Sequence, residues 1–288
     1  IKAKAIDTQP AFIISVLAGF MFSATQFLRF ANDVEFTAEA IKSISLPDRF
    51  FIIGILGAVS AVVFFVLTSI SDSVTRQHWP EKLKAWDLAR RGFFKNKPVG
   101  RSIVISIFIA GILTGLWAVL IQLFPGTHIT ADVRLQSSNF AFPSVATLME
   151  NLLGSLLVVI STLMILGNQL YAVTKVKWII PMLSGFIFAL FLEFFVSLNV
   201  HPFNYSLIIN FIIGAAFGAF YIKHGFLTMV LSLFIFIGVF TTRAGWMMPN
   251  SPDANLLYIF SALVFSMLLL GFYFIAKGSE KKDLPDYV

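Results

Sequence analysis

The feature that most restricts this chain is a succession of apolar runs, each close to the roughly 20 residues a helix needs to cross the hydrocarbon of a bilayer. They fall at about 11–30, 50–70, 102–124, 144–166, 178–198, 206–222, 226–242 and 255–276. The runs are continuous and do not alternate, and a lipid-exposed backbone must satisfy its own hydrogen bonds, so they read as helices rather than strands. The expected fold class is therefore all-α, a polytopic membrane helix bundle with about eight transmembrane helices. Composition agrees: 58% of the 288 residues are apolar and 12% charged, with a mean hydropathy of +0.85. That leaves too little polar surface for a globule in water. The 33 phenylalanines and five tryptophans fit lipid-facing and interfacial positions.

One membrane domain spanning 1–288 is expected. It has a cytoplasmic amphipathic connection at 71–101, a helical core at 144–243 and a polar tail at 277–288. No internal repeat, low-complexity segment or inserted soluble domain is evident. Cysteine is absent, which removes disulfides, thiolate metal sites and a cysteine nucleophile. The chain begins at Ile1 without a signal-peptide pattern, so a fragment or a processed product is expected.

Where the charge sits matters more than its net value of +6. Most Lys and Arg residues lie in 1–10, 71–101, 167–177, 223–225 and the segment after 276, which are alternate connections. By the positive-inside rule those connections and both termini are expected in the cytoplasm, with the chain integral to the plasma (inner) membrane. Within 71–101, Trp79, Leu83, Trp86 and Phe93 recur at helical spacing among Lys82, Lys84, Arg90, Arg91, Lys95 and Lys97. That is the pattern of an interfacial amphipathic helix, with Trp79, Trp86, Arg90, Arg91, Lys95 and Lys97 as lipid-interface residues. A solvated basic loop is the plainer alternative. The basic run is short and membrane-tethered, so nucleic acid is not an expected partner. On the other side, 32–49 has the spacing of a short helix, and 125–143 reads as irregular.

Two glycine pairs, Gly111 with Gly115 and Gly214 with Gly218, each lie on one helical face and are expected to let helix backbones approach closely. Polar groups at membrane depth are few: Gln26, Gln122, Glu150, Asn151, Glu193 and Asn210. A carboxylate at the bilayer centre costs about 2.5–3.5 kcal/mol on insertion scales, so Glu150 needs a role or a partner. Its simplest role is a neutral glutamic acid hydrogen-bonded through Asn151, Asn210 or a carbonyl. Partner binding and ion or proton conduction are the alternatives. Glu193 and Arg29 share an outer depth and form a conceivable pair. A water-activating metal needs about three converging N or O ligands. His128 and His201 belong outside and His224 inside, so no metal, cofactor or catalytic set is expected.

The order of elements from Ser144 onward resembles the CAAX-protease and bacteriocin-processing family of intramembrane metal-dependent endopeptidases, which includes the type II prenyl-protein proteases. In that family a helix opens with Glu-Glu-x-x-x-Arg, the next carries Phe-x-x-x-His, and a later one, after a short turn, carries His-x-x-x-Asn or Asp. Here the first motif falls on Met149-Glu150-Asn151-Leu152-Leu153-Gly154, with one acid kept and its twin and the arginine lost. The second falls on Phe188-Ala189-Leu190-Phe191-Leu192, with leucine where histidine belongs. The third follows the turn Lys223-His224-Gly225-Phe226-Leu227 and reads Leu233-Phe234-Ile235-Phe236-Ile237. The degenerate motif positions are thus Glu150, Leu192, Leu233 and Ile237. The resemblance implies the fold without the activity, because leucine neither binds metal nor moves a proton.

Three functions follow as expectations. The first is a catalytically inactive, protease-like binding or assembly subunit of a membrane complex, whose partners are the lipid bilayer and other membrane proteins, with Glu150, Asn151, Glu193, Asn210 and Arg29 as polar positions open to a partner. The second is a transporter or channel subunit using Glu150 and Glu193. The third is an active intramembrane metalloprotease.

Overall fold

Helices account for nearly all the described structure, because long apolar runs leave the backbone no partner but itself. The computed structural model describes residues 8–31, 46–131, 141–196, 198–243, 246 and 254–279. Within those ranges a few side chains, among them those of Arg29, His128 and Glu193, fall outside the description. The side chains of the expected Arg29–Glu193 pair, residues 32–45 of the expected short helix at 32–49 and most of the tail therefore lie outside the described residues, while residues 46–49 open a long helix.

In chain order, α1 (Thr8–Ala31) and α2 (Leu46–His78) lead to a 3-10 turn (Pro80–Leu83), the short α3 (Lys84–Arg90) and α4 (Lys97–Leu123). Then come α5 (Ala141–Val158), a π-helical stretch (Val159–Gly167) and α6 (Asn168–Thr174), followed by α7 (Ile179–Val196) and α8 (Phe203–Lys223). The last helices are α9 (Phe226–Thr241) and α10 (Ala254–Lys277). Among the described residues, five candidate spans are long and apolar enough to cross a membrane: Phe50–His78, Lys97–Leu123, Val145–Thr174, Phe203–Lys223 and Ala254–Lys277. Three shorter apolar helices accompany them, Ala11–Phe27, Ile179–Leu192 and Phe226–Thr241. The chain is all-α with the marks of a membrane protein.

Helix α9 is the axis of the bundle. Its side chains are buried on every face, from Phe226 and Met229 through Leu233, Phe236 and Ile237 to Phe240, as expected for a helix enclosed by others. At about 24 Å by helical rise it is shorter than the hydrocarbon, a length that an enclosed helix tolerates because protein, not lipid, surrounds it. Helices α4, α5 and α8 pack around it, and α10 lies against α4 with most of its surface outward. Helices α1 and α2 form a peripheral pair joined by Ser23 Oγ donating to Ile53 O at 3.3 Å and by stacking of Phe27 on Phe50 at 5.6 Å.

The two glycine pairs separate. A Cβ placed on Gly214 would meet Ser184 O and the Phe188 Cβ at 2.5 Å, and one on Gly218 would meet Pro181 Cα at 2.8 Å. That pair sets the close approach of α7 and α8. A Cβ on Gly111 or Gly115 meets nothing within 4 Å among the described residues, so the expected packing role is corrected for this pair, whose face is exposed. The region at 125–143, expected to be irregular, contains β1 (His128–Ala131), which pairs antiparallel with β2 (Leu198–His201) in the register His128 opposite His201.

Candidate functional site

The degenerate motif positions come from helices far apart in sequence, yet three of them meet. Leu192 of α7 and Leu233 and Ile237 of α9 share the wall of a cavity of about 10 Å³ with Val158, Ile187, Phe188 and Phe191. This is barely the room of one water, and the wall is wholly apolar, so the space is of the kind that stays dry. Nothing in that wall offers a lone pair to a cation. Among the described residues no group of three or more His, Asp or Glu side chains is placed to hold a metal.

Glu150 is not part of this wall. It is half-buried on α5, eight residues before Val158, which is about 12 Å along the helix. Its neighbour Asn151 crosses to α9 instead, donating from Nδ2 to Thr241 Oγ1 at 3.0 Å. Asn210 is buried and donates to Ser206 Oγ at 3.1 Å in its own helix, rather than reaching toward Glu150. Gln26 is buried on α1 and Gln122 is exposed on α4. His201 and His224 precede and follow α8, whose length of about 30 Å separates them.

The connection at 71–101 departs from the interfacial expectation. The Trp79 ring packs 4.6 Å from Tyr171 and 6.2 Å from Tyr221, Trp86 meets Phe226 edge-on at 4.9 Å, and Leu83 is fully buried. Trp79, Leu83 and Trp86 of the stripe thus face the bundle at α6, α8 and α9, while Phe93 is exposed. Trp79 and Trp86 are each half-buried, with one part of the ring against these aromatics and the rest accessible. Arg90 also turns inward. Its Nη1 lies 3.5 Å from Asp72 Oδ1 and its Nη2 2.8 Å from Asp87 Oδ1, the latter outside hydrogen-bonding geometry, while Nε has no hydrogen-bond partner among the described residues. Arg76 completes the group, with Nε 2.7 Å from Asp72 Oδ2 and Nη2 2.7 Å from Asp87 Oδ1. Two acids and two guanidinium groups tie the end of α2 to α3. Arg91 and Lys95 are exposed, with Lys95 Nζ 5.2 Å over the Tyr273 ring, and Lys97 is half-buried.

Beside this group runs a second buried polar line. Asn168 Nδ2 donates to Thr75 Oγ1 at 2.9 Å, and the Tyr221 hydroxyl donates to Asn168 Oδ1 at 3.3 Å. Next to it Lys82, 6% exposed, donates from Nζ to Ile222 O at 2.6 Å and stands 5.3 Å over Trp79 and 5.6 Å over Tyr221. Its ammonium satisfies one of the carbonyls that the end of α8 leaves open. Burial brings its pKa down to about 8, with Glu81 opposing that shift and Lys177 reinforcing it. His224 is held below its ordinary value by burial and then by Lys82 and Lys223. The interfacial pattern groups Lys82 with the cations surrounding the aromatic stripe, whereas its side chain is buried. The signal for that burial was its position three residues after Trp79 and four before Trp86, on the apolar stripe itself.

Comparison with protein-family models, characterised proteins and solved structures finds no match to this chain.

Proposed function

We propose that this chain is a catalytically silent, CAAX-protease-like membrane protein that serves as a binding or assembly subunit, with about eight spans and both termini on the cytoplasmic side of the plasma membrane. The observation that carries this reading is the convergence of Leu192, Leu233 and Ile237 on one dry apolar cavity. These are the positions at which the related motifs would bring their ligands together, and aliphatic side chains there give a divalent cation no donor. The one-sided distribution of basic connections supports the orientation. Four of them meet at one end: Lys82 bonds Ile222 O, Asn168 bonds Thr75, and Ser279 Oγ donates to Asn96 Oδ1 at 3.0 Å. Conduction is less favoured, because Asn151 and Asn210 are engaged with Thr241 and Ser206 rather than lining a path.

The test is purification from native membranes in a mild detergent, with metal analysis and a membrane-peptide cleavage assay on the parent and on Glu150→Gln. The expected result is a complex of fixed stoichiometry that both forms retain equally, without bound divalent metal. Stoichiometric metal together with cleavage that disappears in Glu150→Gln would overturn the reading in favour of an active protease.

A further inference from the structure

Three turns converge at the basic end of the bundle. The turn between α6 and α7 carries Lys175 and Lys177, the turn between α8 and α9 carries Lys223 and His224, and the 3-10 turn carries Lys82. Contacts fix their adjacency. Lys82 Nζ bonds Ile222 O at 2.6 Å, a Cβ on Gly225 would stand 2.8 Å from the Lys82 carbonyl oxygen, and Gly218 of α8 meets the start of α7 at Pro181. Lys175, Lys177 and Lys223 are exposed and His224 is half-buried. These cations act against one another, Lys177 on Lys82 and both Lys82 and Lys223 on His224, and exposed Glu81 is the acid that acts on Lys82.

Exposed apolar side chains lie in the turn between α6 and α7 and at the end of α6 just before it. Val173 is 83% exposed, Trp178 72% and Val176 52%. The candidate span Val145–Thr174 ends at this turn, and the apolar helix Ile179–Leu192 begins just after Trp178. Lys175, in the left-handed region at φ 59°, closes α6 sharply and places Val176, the indole and the lysines in one short turn just after Val173. An exposed indole and two exposed valines at the end of an apolar span, interleaved with exposed lysines, are the residue types that the interface of a phospholipid leaflet accommodates.

We infer that this end seats the phosphate of an anionic phospholipid of the same membrane, with Lys175, Lys177 and Lys223 as its cationic rim and Trp178 and Val176 set in the acyl boundary. A phospholipid of the same leaflet carries its phosphate at the level where an apolar span gives way to lysines, held there by its own acyl chains, whereas a soluble polyanion would meet the lysines without that anchor. The inference depends on the membrane placement of the spans and is independent of the assembly role.

The experiment compares parent protein in nanodiscs of phosphatidylcholine with and without phosphatidylglycerol, reading thermal stability and the phosphatidylglycerol retained after detergent extraction. Phosphatidylglycerol is expected to raise the parent's melting temperature and to copurify. Each of Lys175→Gln, Lys177→Gln and Lys223→Gln should lower retention roughly fivefold, and Trp178→Ala should weaken it further. Melting in pure phosphatidylcholine should stay unchanged in all four, which separates lipid loss from misfolding. Equal stability of the parent in both lipids, or full retention by the lysine variants, would overturn the proposal. So would an equal gain from inorganic phosphate in phosphatidylcholine discs, which would mark a free-anion site. None of these outcomes bears on the complex predicted by the assembly reading.

Discussion

Lys82 shows how a single side chain can hold a connection to a bundle. Its ammonium meets a helix-end carbonyl and two aromatic faces, yet burial still disfavours the charge and brings the pKa to about 8 from an ordinary value near 10.5. A lysine whose folded pKa is lowered favours the folded form more as pH rises, because the free side chain carries a proton that the docked one has released. The parent should therefore gain stability relative to Lys82→Met between about pH 8 and 10.5, with the difference between them flat below pH 7. Melting curves of both proteins across that range check the sign. A difference independent of pH would mean that the amine titrates as it would in water. Nothing in the composition distinguished this lysine from its neighbours; its place on the stripe of Trp79 and Trp86 did.

Helix contacts depend on which of two similar motifs faces a neighbour. Gly214 and Gly218 lie against Ser184, Phe188 and Pro181, whereas Gly111 and Gly115 are exposed. Gly214→Leu should lose about 1–3 kcal/mol through overpacking, or more if α7 is forced off α8. Gly111→Leu, on an exposed face, should stay within about 0.5 kcal/mol. Denaturant or thermal unfolding in one detergent compares the two directly, and equal losses would contradict the placement of these faces. The sequence displayed both pairs alike, because small-residue spacing records that a close approach is possible but not whether a partner stands there. The same limit applies to α9, whose apolar run read as one more span and whose burial on every face depends on what surrounds it.

For the whole molecule, the apolar runs made the helical plan readable almost in full, and the basic connections marked four segments that the fold gathers at one end. The pairing of β1 with β2 was not readable, since four-residue strands in polar loops show no alternation over a useful length. Nor could spacing alone reveal that Leu192, Leu233 and Ile237 surround one void. The absence of cysteine makes the orientation directly measurable. Single cysteines in place of Lys175 and Thr127 should react with a membrane-impermeant maleimide from opposite sides of sealed vesicles, Lys175→Cys from the cytoplasmic face. Labelling of both from one side would refute the proposed topology.

The short pairing of β1 with β2 joins the segment after α4 to the entrance of α8, while Lys82 clasps the exit of that same helix from a different part of the chain. Held at both ends of α8 by segments distant in the chain, the α7–α8 hairpin is tied to the rest of the bundle at each rim. A neighbour docked along it would meet a surface braced at both ends.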